Sequence, residues 1–274
     1  MRRLPWLPIT IIATMVIMAV FAPILAEHSP TDQSLIKRLR PPFWADGGSL
    51  EHLLGTDQFG RDVFARLLYG ARISLIVVGL SLLVGGGVGL ALGIVSGYVG
   101  GKLDSFLMRL VDAAFTFPAI LFALLLAVTM GQGLDTLIIA ISLLLWANFA
   151  RVIRGEVLAL KQRDFISLAR VHGCSPLRIM ATHIVPNVMN TFMVLATLNI
   201  GVVIVAEASL SFLGAGVPPP TPAWGLMVSE GRGRITSAWW LSLLPGVAIT
   251  LVVLAFNLFG DWLRDRLDPK LRQL

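Results

Sequence analysis

The sequence predicts an all-α membrane protein with six transmembrane helices and both termini on the cytoplasmic side. Three observations carry this expectation. Of the 274 residues, 56% are apolar and only 14% charged, where an ordinary soluble domain carries roughly 25% charged residues. The charges are segregated, which leaves uncharged runs of about 18 residues or more, the length that reads as a membrane-crossing helix. The basic residues fall between those runs, so lipid headgroups and membrane orientation explain the net charge of +6 better than nucleic acid does.

The apolar runs cover residues 7–25, 73–97, 103–130, 134–153, 188–213 and 239–263. At 1.5 Å per residue each is long enough for a hydrocarbon core of about 30 Å. The first, preceded by Arg2 and Arg3, resembles a signal peptide. It is longer than an h-region and no A-x-A-like site closes it, so a retained helix is expected. An even number of crossings puts both ends on one side. Arg2 and Arg3 with Arg264, Arg266, Lys270 and Arg272 assign that side to the cytoplasm. The segment 27–72 works against this rule through Lys37, Arg38, Arg40, Arg61, Arg66 and Arg72. Its Glu27, Asp32, Asp46, Glu51, Asp57 and Asp62 neutralise them.

The chain divides near residue 72. Residues 1–72 hold the N-terminal helix and an external loop ending in an amphipathic helix that begins near Asp57. Residues 73–274 form the membrane core, with a long cytoplasmic loop at 154–187. The second apolar run carries Gly85, Gly89, Gly93 and Gly97. Spacing of four stacks small residues into a ridge on one helix face, which lets another backbone approach, in this chain or in another subunit.

Several chemistries lack their residues. No G-x-x-x-x-G-K-[ST] phosphate loop occurs; Gly100-Gly101-Lys102-Leu103 lacks the first glycine and the hydroxyl residue. No loop is large enough for a nucleotide-binding domain. His28, His52, His172 and His183 lie in loops without the i, i+4 pairing of a helical zinc site, so no metal and no cofactor are expected in this chain. No nucleophile elbow suggests an enzyme. Cys174 is the single cysteine, which excludes an internal disulfide. Ionisable residues within apolar runs are functional candidates. Glu207, with Asn199 on the same run, is a candidate for the wall or gate of a translocation pathway, the alternative being an interfacial carboxylate. Arg109 and Asp112, three apart, are placed to neutralise each other on one helix face. So few buried charges argue against a proton relay.

The cytoplasmic loop is the most informative stretch. Phe165, Leu168 and Ala169 share one helical face. Gly173 stands where a helix ends in a left-handed residue. Ser175-Pro176 starts another, as N-cap and first helical position. Pro186 is expected to break the chain before the fifth run. This describes either a cytoplasmic knob with an apolar face or a hairpin lying on the membrane.

The same loop resembles the EAA loop of ABC-importer permeases. Gly173 and Ile184-Val185-Pro186 match the pattern, while Ser167-Leu168-Ala169 stand where E-A-A is expected. His52-Leu-Leu-Gly-Thr-Asp-Gln-Phe-Gly-Arg-Asp62, continuing through Arg66 and Tyr69-Gly-Ala-Arg72, is similar to the outer-loop signature of dipeptide, oligopeptide and nickel permeases of the C type. Glu207-Ala-Ser-Leu-Ser-Phe-Leu-Gly214, followed by Pro218-Pro219 and Trp224-Gly225, resembles the same subunits. The resemblance implies a type I ABC-importer permease fold in a bacterial inner membrane. It implies a second permease subunit of the B type, two ATPase subunits that hold the ATP and Mg²⁺, and an external substrate-binding protein. Transport of peptides would proceed by alternating access. Ser167, Leu168, Ala169, Gly173, Ser175, Pro176 and Pro186 would shape the ATPase-docking loop, with Leu177, Ile179 and Met180 offered to a groove on the ATPase. A nickel permease is the alternative within the family, and a secondary transporter the alternative outside it.

Overall fold

Inside hydrocarbon every backbone N–H and C=O must be satisfied within its own segment, so apolar runs fold as helices. The computed structural model describes residues 4–267, and its regular elements are helical, with one isolated bridge between Thr56 and Asp62. Arg2, Arg3, Lys270 and Arg272, on which part of the orientation argument rests, lie outside the described residues.

Helix α1 spans Trp6–Val20 and is followed, after Phe21, by the short α2 at Ala22–Leu25, with Pro23 in its first turn. Residues 26–62 form an irregular cap. Helix α3 (Val63–Ser81) passes through a π-helical turn at Leu82–Gly86 into α4 (Gly87–Val99). Together these make one helix of 37 residues, about 55 Å long. The helix expected to begin near Asp57 and lead into the second apolar run begins at Val63. The Asp57 carboxylate instead accepts the N–H groups of Phe59 and Arg61, which folds the backbone into a turn. Helix α3 starts only after Asp62, whose side chain caps it by accepting from the Ala65 N–H at 2.7 Å.

The third apolar run is not one helix. Helix α5 (Gly101–Thr116) and α6 (Ala119–Met130) meet at 86°. Pro118 has no N–H to donate and forces Phe117 out of the α region, to φ −80° and ψ 130°. Helix α7 spans Leu134–Leu160, and α8 (Asp164–Val171) with α9 (Pro176–Ile179) forms a hairpin. A second π-helical turn, Met180–Ile184, joins α9 to α10 (Val185–Phe212). Helices α11 (Trp224–Gly231) and α12 (Trp240–Leu267) complete the described chain. Four helices are long and apolar enough to cross a membrane, or five if the bent α5/α6 pair is one span; α1, at 15 residues, is an apolar helix below that length.

The break expected at Pro186 does not occur either, since Pro176–Phe212 runs as one span of 37 residues. In the π turn the Val185 N–H bonds the Met180 carbonyl five residues back, and the Asn187 side-chain amide donates to the His183 carbonyl at 2.6 Å. The wider turn accommodates a proline ring and its missing donor.

Lipid chains are as apolar as leucine, so helices in a bilayer are held by close packing more than by a hydrophobic drive. Here the packing centres on α4 against α7, and on α10 against α11 and α12. A Cβ added at Gly85 would come within 2.6 Å of the Ser142 carbonyl, and one at Gly89 within 2.5 Å of the Trp146 carbonyl. At Gly93 and Gly97 the obstacles are the Ala150 carbonyl and the Val157 Cβ, each at 2.8 Å. The four glycines therefore line one continuous contact, and its partner is α7 of the same chain.

Candidate functional site

The α8–α9 hairpin is built by its turn. Gly173 has φ +73°, and the N–H groups of Gly173 and Cys174 bond the carbonyls of Arg170 and Ala169. These are the paired bonds of a Schellman motif, which closes a helix end with a left-handed residue. The Ser175 hydroxyl accepts the Arg178 N–H at 3.4 Å, and Pro176 fills the first position of α9.

The hairpin has two faces. Ile166, Ala169, Ile179 and Ile184 are buried against Ile94, Ile153, Val157 and Val188, with Cys174 and Met180 half-buried at the edge. Leu168, Val171 and Leu177 point outward, at 58%, 83% and 75% exposure. The expectation that Ile179 is offered to a partner is corrected: at 1% exposure it is the anchor of α9 on its own chain. One turn of helix separates the two roles, because Leu177 and Ile179 are two apart and face opposite ways. Leu168 and Ala169 divide in the same manner, Ser167 is exposed beside them, and Pro186 is exposed on the first turn of α10.

The root of the hairpin is tied down. Lys161 Nζ donates to the Tyr98 carbonyl at 2.6 Å, and the Arg170 guanidinium lies 5.8 Å from the centre of the Tyr98 ring. Arg154 binds Asp104 through two hydrogen bonds of 2.6 and 2.7 Å, the bidentate geometry that only arginine offers a carboxylate. Asp112 pairs with Arg151 on α7. The expected Arg109–Asp112 pair is thereby replaced by an interhelical one, since α7 lies against the carboxylate-bearing face of α5.

Glu207 is 1% exposed and held within the bundle, where Ser74 Oγ and Ser211 Oγ donate to it at 3.2 and 2.9 Å. At that burial its carboxylate lines no open surface of this chain. Asn199 is 7% exposed, and its amide donates to the Leu195 carbonyl of its own helix.

The opposite end of the long Val63–Val99 helix carries a charge cluster that sequence reading missed. Arg61 Nε donates to Asp57 at 2.6 Å, and Arg61 and Arg66 both donate to Glu230 of α11, at 2.9 and 3.0 Å. Arg61 and Arg66 are each 1% exposed. Two buried guanidiniums facing two carboxylates are mutually neutralised, which is how buried charge is tolerated. Trp224 Nε1 donates to the Leu67 carbonyl, and its ring lies on Gly70, where a Cβ would stand 2.6 Å away. Lys37 and Arg40 pair with Glu51, whose hydrogen bond from Lys37 holds its carboxyl below the ordinary glutamate range. The basic residues of the cap are thus largely cancelled within it. The only advance signal was the equal number of acidic residues in the segment 27–72.

A bundle of long apolar helices with a charge-locked cap at one end and an exposed apolar hairpin at the other defines a multi-pass α-helical membrane protein. Residues 89–273 match the family described as binding-protein-dependent transport system inner membrane component, and the chain belongs to that family. It is 41% identical to the dipeptide transport system permease protein DppC of Bacillus subtilis, over 94% of this chain and 79% of that one. It is likewise 41% identical to the di/tripeptide transport system permease protein DppC of Pseudomonas aeruginosa, over 93% and 84%. The oligopeptide transport system permease protein OppC of Bacillus subtilis is 37% identical over 99% and 87%. Among solved structures, a chain of the MetNI methionine ABC transporter in an inward-facing conformation superposes with a TM-score of 0.61 at 18% identity, covering 74% of this chain and 96% of that one. That likeness establishes the shared fold.

Proposed function

We propose that the chain is a membrane-spanning permease subunit of an ATP-driven importer of di- or oligopeptides in a bacterial inner membrane. Six crossings are assigned to α1, α3–α4, α5/α6, α7, α9–α10 and α12, with both termini and the α8–α9 hairpin in the cytoplasm. The partners are a second permease subunit of the B type, two ATPase subunits carrying ATP and Mg²⁺, and an external substrate-binding protein. Sequence likeness to peptide permeases over more than nine-tenths of the chain supports the substrate class.

The observation that carries the mechanism is the hairpin: a rigid turn, anchored by Ile166 and Ile179, that presents Leu168, Val171 and Leu177 away from the bundle. A few apolar anchors displayed on a short helix are what helix-in-groove docking requires. ATP-driven closure of the ATPase pair would move the hairpin, and the hairpin would carry α10 with it. Co-purification with the ATPase subunits, followed by reconstituted uptake of dipeptides and longer peptides, tests the reading. Failure of any peptide to be taken up by an intact, ATP-hydrolysing complex would remove the substrate assignment.

A further inference from the structure

The irregular cap brings together three residues that its packing leaves unexplained. Asp62 uses one carboxylate oxygen, Oδ1, to cap α3. Its other oxygen, Oδ2, lies 2.8 Å from Nδ1 of His52 and 4.0 Å from Nδ1 of His28. The two imidazoles stand with ring centres 4.7 Å apart, and one ligand atom from each of the three residues lies within 4.8 Å of the others. His52 and Asp62 are each 4% exposed, while His28 opens to solvent at 36%. Among the described residues no lysine or arginine pairs with Asp62.

A simple hydrogen bond between His52 and Asp62 accounts for only part of this. It leaves His28 drawn toward the same oxygen at a distance too long for a hydrogen bond. Two imidazole Nδ1 atoms thus converge on the one carboxylate oxygen that the helix cap leaves over. We propose that His28, His52 and Asp62 form a binding site for a divalent transition-metal ion of the Zn²⁺ class. Two neutral nitrogens and one carboxylate suit a borderline ion such as Zn²⁺ rather than Mg²⁺ or Ca²⁺, which take oxygen ligands. Zn²⁺ takes such ligands at about 2.0–2.2 Å, and the three ligand atoms already lie within 4.8 Å of one another. The exposed flank of His28 leaves the fourth position to water.

The ligands come from three separate places: just after α2, the middle of the cap, and the residue that caps α3. An ion bound there pins the segment between α2 and α3 onto the end of the long helix, and closing so long a loop is where such a clip gains most. The site is independent of the importer reading and of membrane sidedness.

The test uses the complete, tag-free complex, stripped with EDTA, desalted and then supplied with ZnCl₂ or, separately, MgCl₂. Retained metal is measured by elemental mass spectrometry, and thermal unfolding is followed in parallel. The expected result is about one zinc ion more per copy of this chain in the wild type than in His28→Ala. The zinc should also raise the midpoint by a few degrees in the wild type alone. MgCl₂ should do neither. His28→Ala is the informative variant because His28 is outside the capping hydrogen bonds, so its midpoint in EDTA should equal that of the wild type; Asp62→Asn could fail merely through loss of the cap. Equal zinc in wild type and His28→Ala, or none in the wild type, would overturn the proposal.

Discussion

Ser74 Oγ donates to the buried Glu207 carboxylate at 3.2 Å, joining residues 133 positions apart and fastening α3 to α10. Removal of one partner leaves the other unsatisfied, at a cost of about 1–3 kcal/mol. Glu207→Ala and Ser74→Ala should each lower the unfolding midpoint of the purified chain, and the double variant should lose less than the sum. A coupling of about 0.5–3 kcal/mol is expected for groups in direct contact. Additive losses would show that the two side chains act separately.

Crowding at the α4–α7 contact gives a second expectation. Gly89→Ala would put a methyl group 2.5 Å from the Trp146 carbonyl, whereas a Cβ at Gly87, two residues away, meets nothing within 4 Å. Gly89→Ala should therefore destabilise by about 1–3 kcal/mol, the usual cost of overpacking. Gly87→Ala should be neutral or slightly stabilising, because alanine is the better helix former. Detergent-solubilised thermal unfolding of the pair distinguishes a true close approach from mere glycine abundance.

The two faces of the hairpin predict opposite failures. Leu177→Asp, on the exposed side, should leave the permease folded and inserted while ATPase subunits dissociate during purification. Ile179→Asp should disrupt the hairpin itself, since it buries a charge among Ile153, Ile166 and Ile184. Retention of the ATPase subunits by Leu177→Asp would place the docking surface elsewhere.

Gly173 isolates the role of the turn. Nothing crowds its Cβ position, so any defect on substitution reports backbone strain at φ +73° and not a clash. Gly173→Asn should be tolerated, because asparagine visits the left-handed region, and Gly173→Val should not. The readout is peptide uptake per ATP hydrolysed: Val should uncouple the two and Asn should not. Equal coupling in both variants would make the turn dispensable.

Sidedness rests on Cys174, the single thiol, half-buried at the turn. A membrane-impermeant maleimide should label it in inverted vesicles and leave it unlabelled in intact spheroplasts. Labelling from outside would reverse the assigned orientation.

Much of this architecture is legible in the sequence because its causes are local. The end of α8 at Gly173 and the start of α9 at Ser175-Pro176 depend on residues within one turn of each other. The bend at Pro118 has an equally local cause, yet the unbroken apolar run on both sides hid it. Pro186 misled in the other direction: a proline reads as a break unless a wider turn absorbs it, and nothing in sequence marks that turn. The facing of Ile179 required knowing what lay beneath the hairpin. The Arg61–Glu230 and Ser74–Glu207 contacts span 169 and 133 positions, and no periodicity reports partners that distant. His28, His52 and Asp62 stayed invisible for the same reason, being gathered by an irregular loop instead of a helical spacing.

The continuity of Pro176–Phe212 has a mechanical consequence. With α9 at one end and Glu207 near the other, the segment is a continuous helical rod of 37 residues, about 55 Å long. A tilt of about 5° sweeps the far end of such a rod through about 5 Å. The one π-helical turn along it, Met180–Ile184, lies immediately beside α9. In the coupling proposed above, stiffness there would set the gearing between hairpin displacement and movement at Glu207. A single wide turn of backbone would then act as the elastic element in series with the stroke.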